Sequence, residues 1–465
     1  MEEKLTVKKK MGYGFSELGT MATEMLIRLY LLIFYTDLVG LRPQLAGYAV
    51  AIAIVWDAVT DPLMGVISDG TKTRWGRRRP YILFGAFFLG ITLVMLFSEP
   101  PLSGQTGKFL YLLVSYILLN TAMTVVTVPH FALGREVTFN PNERTEVFGW
   151  RLLFGNIGFL AGTILPGIFL ISLGQNSDMQ AGITAHQRAA VIVGLLIVIG
   201  SSVTFFSMRG LDKTTAPYSF TGVTSFLSFM SSAFSNMAFL PLFLAYCTAM
   251  IGLSLYSSLA LYYYRYRLKL AEQNIQIILI VFILIFSLSL LFWVFITRKY
   301  GKKRPAFWAS LFLGLATTIV YPLLPEGKTV PVLFIAATCG FLVGSIVIIE
   351  SLVADTVDYD ELICGNNREG LYSGFWKMGT KMSRAVALAI TGHLLHLIGY
   401  MPNQIQSPEV EWRLALMFGP GVGFFITTGA LIFLFMPLTN EKHTRIQRLL
   451  LMKQNRKSKA GKKCT

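Results

Sequence analysis

Charge is what this 465-residue chain has least of: 14% of its residues are Asp, Glu, Lys or Arg, against roughly a quarter in ordinary soluble domains. So little charge cannot solvate the surface of a chain this long, so much of that surface must face lipid. That argues against a soluble enzyme and against disorder. Cysteine is scarce as well. Cys247, Cys339, Cys364 and Cys464 are scattered, which leaves neither a disulfide framework nor metal-ligand spacing. The chain has no Asn-x-Ser/Thr sequon, and nothing marks it for a glycosylating route. It also lacks a P-loop, a nucleophile elbow and a metal motif, so ATP-driven transport and catalysis have no support and no resident cofactor is expected.

Apolar residues are abundant: 54% of the chain is hydrophobic, with 35 Phe, 19 Tyr and 7 Trp. A bilayer core about 30 Å thick needs roughly 20 apolar residues of helix, and twelve segments qualify. The first follows Lys8-Lys9-Lys10 and is too long and too polar for a cleaved signal. The net charge of +16 is read by position. With a cytoplasmic N-terminus, the tails and even-to-odd loops hold 28 of the 41 Lys and Arg, the opposite loops 8 and the spans 5. The positive-inside rule then places both termini in the cytoplasm of a multi-pass protein of the cell membrane. The basic segment 453–463 reads as a solvated arm near anionic lipid rather than a nucleic-acid binder.

The chain also repeats itself. Gly76 and Gly301, and likewise Pro80 and Pro305, stand 225 positions apart in two basic turns, Arg74–Pro80 and Arg298–Pro305. Asn142-Glu-Arg144 and Asn366-Asn-Arg368 recur near the same offset. These turns predict an all-α protein of two six-helix halves, 1–208 and 236–437, with a linker at 209–235 and a basic tail at 438–465.

Ionisable residues inside spans are expensive and usually face a polar cavity. Here they concentrate in four spans: Glu17, Glu24 and Arg28 in the first, Asp57 and Asp61 in the second, Arg151 in the fifth, and Lys377, Lys381 and Arg384 in the eleventh. Asp57 and Asp61 share a helix face at i,i+4, with Thr60 beside them. Two such carboxylates cannot both stay ionised in low dielectric without compensation. A bound cation would supply it, and so would a salt bridge. Lys381 is the natural partner, although a lysine can also snorkel to the headgroups. Glu24 and Arg28 form either a self-neutralised pair or part of a site. Arg151, beside Trp150, suits either a forked grip on substrate or a bond to Glu17 or Glu24. Asp69 with Arg77 and Arg78 reads as a latch that breaks as the halves rock.

Three stretches carry a family likeness: Tyr35-Thr-Asp-Leu-Val-Gly-Leu41, Trp56-Asp-Ala-Val-Thr-Asp-Pro-Leu-Met-Gly65 and Ala354-Asp-Thr-Val-Asp-Tyr-Asp-Glu361, with Lys381 twelve positions after Glu369. With these the chain resembles the major facilitator superfamily, and within it the melibiose-permease type of glycoside–pentoside–hexuronide:cation symporters. The resemblance implies a twelve-helix transporter that works by alternating access, with one chain sufficient for the mechanism. It implies a site for Na+ (or H+, Li+) at Asp57, Thr60, Asp61 and Thr124, a coupling lysine at Lys381, and Arg151 beside the solute. The family has Asn where this chain has Thr60. The two aspartates that clamp sugar in melibiose permeases correspond to Met21 and Thr127, which cannot accept sugar hydroxyls as carboxylates do. The sodium-dependent lysophosphatidylcholine symporters are similar and also lack that clamp. The solute is therefore either a glycoside or related polar molecule, or an amphipathic one. Met21, Glu24, Arg28, Thr127, Phe131, Trp150, Arg151, Phe375, Trp376 and Lys377 are the residues expected around it. A membrane sensor or scaffold that transports nothing is the alternative of another class.

Overall fold

The computed structural model describes residues 5–138, 141–172, 179–211, 236–364, 369–438, 442–446, 448, 449 and 452. Most of the expected linker 209–235 and of the tail 438–465 lies outside these residues. Within them the chain is helical: α1 Val7–Ile33, α2 Pro43–Gly70, α3 Arg79–Leu96, α4 Gly104–Glu136, α5 Pro141–Ser172 and α6 Met179–Ser207. After the linker come α7 Phe239–Tyr262, α8 Glu272–Tyr300, α9 Lys303–Val320, α10 Thr329–Val343, α11 Ile346–Cys364, α12 Glu369–Leu397, α13 Pro408–Leu416 and α14 Val422–Phe433.

Local chemistry sets several of these boundaries. Pro43 opens α2 and Pro408 opens α13, in the first turn, where a missing N–H has no helical partner to lose. Ser407 caps α13 by accepting from the Val410 N–H. The basic turns after α2 and α8 both place a glycine at positive φ, +100° at Gly76 and +76° at Gly301, which a side chain would strain.

Eleven helical stretches are long and apolar enough to cross a membrane, among the described residues. Helix α12 spans 29 residues but is not one of them. It is the expected eleventh span, and its lysines, arginine and histidines dilute its hydropathy.

In the first half α1 packs on α5 and α6, α3 on α4 and α6, and α2 on α4. In the second, α7 and α9 pack on α14, and α8 on α10. The two sets meet where α2 lies against α12, α1 against α7 and α5 against α8. Lipid tails remove the hydrophobic drive between helices, so close approach depends on small residues. Gly47 and Gly392 provide it: a Cβ on Gly47 would stand 2.7 Å from the Leu388 carbonyl oxygen.

The duplication read from the basic turns recurs at the far ends of α1 and α7. Each helix runs into a π-helical turn, Phe34–Leu38 and Tyr263–Arg267. In one, the Val39 N–H bonds to the Phe34 carbonyl and Leu41 to Tyr35; in the other, Leu268 bonds to Tyr263 and Leu270 to Tyr264. The two sets of bonds are 229 positions apart (268 minus 39).

Candidate functional site

Asp57 and Asp61 stand one turn apart on α2, and their surroundings are completed from α4 and α12. Thr124 Oγ1 lies 2.8 Å from Asp57 Oδ1 and 2.9 Å from Asp61 Oδ1. Lys381 Nζ lies 2.7 Å from Asp57 Oδ2 and 2.5 Å from Asp61 Oδ2. Two carboxylates and one ammonium leave the cluster with one negative charge in excess. An excess charge away from water is costly. The donors, carboxylate and hydroxyl oxygens, are hard ligands that suit a small hard cation. Thr60 does not share this position. Its hydroxyl donates to the Asp57 carbonyl oxygen at 3.1 Å, so it is turned onto its own helix.

A second cluster joins α1 to α12. Arg28 donates to Glu24 Oε1 at 2.8 Å, and Arg384 Nη1 lies 3.6 Å from the same oxygen. Arg384 Nη2 donates to the Tyr116 hydroxyl at 2.9 Å. Glu24 and Arg28 are thus not a closed pair, because a second arginine shares the carboxylate.

A third cluster settles the partner of Arg151, which the sequence left open. Its Nη2 donates to Glu17 Oε1 at 2.6 Å. His130 Nδ1 stands 3.4 Å from the other Glu17 oxygen. The Phe131 ring centre is 5.1 Å from the Arg151 guanidinium and 4.2 Å from Lys377 Nζ, distances at which ring and cation attract.

A cavity of about 320 Å³ connects the clusters. Met21, Glu24, Arg28, Thr127, Phe131, Arg151 and Lys377 line it, together with both aspartates, Thr124 and Lys381. Trp150, Phe375 and Trp376 do not. Successive helix residues are rotated by about 100°, so a neighbour of a lining residue faces elsewhere. Trp150, beside Arg151, packs toward Phe154 with ring centres 6.3 Å apart. Trp376, beside Lys377, stacks on Tyr246 at 3.8 Å. Phe375 is buried against Phe239. The aromatic residues of the cavity wall are Phe131 and Tyr116. No charge or spacing marked Tyr116 or Asn120 in the sequence; they enter because α4 lies beside α2.

The expected latch is built within one half. Arg78 pairs with Asp69, bonds to Ser68 at 2.9 Å, and lies 2.7 Å from Glu136 Oε1. Arg77 reaches the same Glu136 oxygen at 2.6 Å. Burial disfavours the Arg78 charge, but Glu136 and Asp69 outweigh it and hold the guanidinium above the ordinary arginine range. These partners belong to α2, α4 and the turn before α3, so rocking of one half against the other would leave these particular bonds intact. Glu136, which joins both arginines, was not singled out from the sequence.

A network centred on the Tyr35–Leu41 stretch, whose partners the sequence did not mark, ties the halves together at the opposite end of the bundle. Asp37 is buried. It accepts from Tyr266 at 2.5 Å and from Tyr400 at 2.9 Å, and Asn403 donates to its carbonyl oxygen. Thr36 and Tyr262 are linked by a 2.7 Å hydrogen bond, and Gln276 donates to the Tyr30 hydroxyl at 3.0 Å. This end is closed across the seam.

A family model described as MFS/sugar transport protein matches residues 12–440. Among curated proteins, the chain is 26% identical to the uncharacterized symporter sll1374 of Synechocystis sp., over 97% of this chain and 98% of that one. It is also 26% identical to the isoprimeverose transporter of Lactiplantibacillus pentosus, over 91% and 88%. In fold it is similar to the solved nucleoside transporter NupG, with a TM-score of 0.63 at 14% identity, covering 92% of this chain and 99% of that one. With that match over most of its length and a bundle of membrane-crossing helices, the chain belongs to the MFS/sugar transport protein family and is an integral transporter of the cell membrane, not an enzyme.

Proposed function

We propose that the protein is a cation-coupled symporter that moves a small polar solute by alternating access. The coupling ion, Na+ in this reading, binds between α2 and α4 at Asp57, Asp61 and Thr124. The observation that carries the proposal is the position of Lys381, within salt-bridge distance of both aspartates at once. An ammonium there occupies the place a metal cation would take. When Na+ binds, Lys381 is displaced and released from α2, which changes the contact between the halves beside the solute cavity. Coupling of this kind is reciprocal, so the ion raises solute affinity by the factor with which the solute raises ion affinity.

The proposal extends to the arrangement in the membrane: twelve spans with α12 as the eleventh, halves at 1–208 and 236–437, both termini cytoplasmic, and one chain per functional unit. The Asp37 end is then extracellular, and the conformer is closed on that side. A sugar-like solute is supported by the family description and by a relative named for isoprimeverose transport. The cavity of about 320 Å³ is at the small end for ligand sites, which favours a compact solute over a long-chain lysophospholipid.

Reconstituted vesicles test the proposal. An inward Na+ gradient should drive solute accumulation, and Asp57→Asn should abolish the Na+ stimulation. Wild-type Na+ stimulation in that variant would remove the aspartate pair from the coupling role, and no gradient-driven uptake by the native chain would favour the sensor or scaffold.

A further inference from the structure

The basic turn before α3 holds two arginines besides Arg77 and Arg78, and the segment just past α6 brings another against them. Arg74, Arg79 and Arg209, with Trp75, Phe205 and Phe206, line a groove of about 500 Å³. It shares no residue with the solute cavity. Arg79 builds its floor. This buried residue donates from Nε to the Phe205 carbonyl at 2.7 Å and from Nη1 to the Trp75 carbonyl at 3.0 Å, and its guanidinium lies 4.4 Å from the centre of the Phe205 ring. These bonds tie the turn to α6 and hold the two walls of the groove in place.

Arg74 and Arg209 are placed differently. Both are exposed, and among the described residues neither is paired with a carboxylate. The nearby acids are already engaged, Glu136 by Arg77 and Arg78 and Asp69 by Arg78. The groove therefore carries an excess of positive charge. The Arg74 guanidinium also lies 4.7 Å from the centre of the Trp75 ring, on a face where a choline headgroup would otherwise rest.

The rim is apolar. Phe206 is 68% exposed and continues the exposed stripe Leu195 and Ile199 along α6, while Phe84 is 56% exposed and continues to Phe88 along α3. Exposed apolar stripes on membrane-crossing helices face lipid. Trp75 stands between them, 5.9 Å from Phe84 and 6.2 Å from Phe205 between ring centres, and tryptophan is enriched at headgroup depth. The groove thus opens where two lipid-facing stripes reach the membrane surface.

We propose that this groove binds the headgroup phosphate of an anionic phospholipid between Arg74 and Arg209, with the acyl chains lying along Phe84 and Phe206. A forked guanidinium matches phosphate oxygens, and a basic pocket between helices on the cytoplasmic side suits such a headgroup. The inference rests on the membrane arrangement proposed above, which puts this end in the cytoplasmic leaflet, and it is independent of the solute and the coupling ion. The repeat supplies a comparison. Lys299, 225 positions after Arg74, lies 5.3 Å from the centre of the Tyr300 ring in the matching turn of the other half.

The test uses the delipidated full chain in detergent with three probes: short-chain phosphatidylglycerol, phosphatidylcholine with the same chains, and glycerol phosphate, which has the phosphate without the chains. Thermal shift reads binding. Phosphatidylglycerol should act at concentrations at least about tenfold below those of phosphatidylcholine, and glycerol phosphate should not act in that range. Arg74→Gln and Arg209→Gln should each weaken phosphatidylglycerol about tenfold, with unchanged lipid-free melting temperatures showing that both fold. Arg209→Lys should recover only part, because the charge returns without the fork, and Lys299→Gln should have no effect. In vesicles of excess phosphatidylcholine, phosphatidylglycerol with brominated chains should quench the fluorescence that Trp75→Phe removes, and the two glutamine variants should relieve that quenching.

Equal stabilisation by the two lipids would overturn the proposal. So would unchanged phosphatidylglycerol binding in both glutamine variants, an equal loss in Lys299→Gln, or no quenching of Trp75. Glycerol phosphate acting as strongly as phosphatidylglycerol would assign the groove to a soluble phosphate and overturn the lipid. None of these outcomes bears on Na+-driven uptake, and lipid binding kept in a chain without such uptake would leave the groove standing while defeating the symport reading.

Discussion

Tyr266, in the π-helical turn that ends α7, donates a 2.5 Å hydrogen bond to Asp37 in the matching turn that ends α1. The two turns are equivalent elements of the repeat, so the fold closes one end of its seam by pairing them. A hydrogen bond to a charged group is worth about 1.5–3 kcal/mol. Tyr266→Phe should therefore shift the balance toward conformers open at this end by roughly 10–100-fold. Hydrogen–deuterium exchange around 34–41 and 262–270 should accelerate. Unchanged exchange at both turns would mean that the bond does not hold the seam.

Lys381→Ala leaves Asp57 and Asp61 close together without a counter-charge. Removing one partner of a buried ionic cluster typically costs about 3–5 kcal/mol, so the variant should unfold at a lower temperature in choline. Na+ should recover most of the loss, because the ion takes the place of the ammonium, and the melting temperature of the variant should depend on Na+ more steeply than that of the native protein. Asp61→Asn in the same background should remove part of the defect. A variant equally unstable in Na+ and choline would assign Lys381 a purely structural role.

Thr124 presents one hydroxyl to both aspartates. Thr124→Val keeps the shape and removes the oxygen. The Na+ concentration for half-maximal uptake should rise about tenfold, and Thr124→Ser should return it toward the native value. Thr60→Val should change it little, since the Thr60 hydroxyl is directed at the Asp57 carbonyl of its own helix rather than at the two carboxylates. The opposite ranking would mean that α2 turns on ion binding.

What could be read from the sequence was what is anomalous in lipid. Asp57, Asp61 and Lys381 stand out because carboxylates and a lysine inside apolar spans need a reason, and the structure brings these three together. The same charges disguise α12, whose composition falls short of an ordinary span. Residues without such an anomaly could not be read. Tyr116 and Asn120 look like any polar residues of a membrane helix, and Trp150 and Trp376 look like substrate aromatics until the helix rotation turns them away. Thr124 came from the family resemblance alone. Glu136 lies far along the chain from the Arg74–Pro80 turn, so its partners depend on how α4 lies beside α2, and the Asp37 network depends on tertiary pairing over more than 200 positions.

The Asp69, Arg78 and Glu136 cluster distinguishes a brace from a gate. Glu136 is 12% exposed and joins two arginines, while Asp69 is 29% exposed and meets one. For a brace, Glu136→Gln should lower the melting temperature, with a cost of about 3–5 kcal/mol, and Asp69→Asn should cost less. Uptake per folded molecule should change little in either variant. Native stability with altered uptake kinetics would return the cluster to a gating role.

Gly47 fixes how closely α2 and α12 approach at the Asp37 end. A Cβ there would lie 2.7 Å from the Leu388 carbonyl oxygen, and one on Gly392 would run into that of Pro43. These contacts are with backbone, so no rotamer relieves them, and a larger residue must push the helices apart. Gly47→Val should therefore disfavour the conformer closed at this end. A cysteine placed at Thr127 on the cavity wall should react faster with an impermeant thiol reagent added from the Asp37 side. Gradient-driven uptake should fall, because one of the two alternating states is depleted. Unchanged labelling with native uptake would show that α2 and α12 do not close the path at Gly47, and that the tyrosines around Asp37 seal it alone.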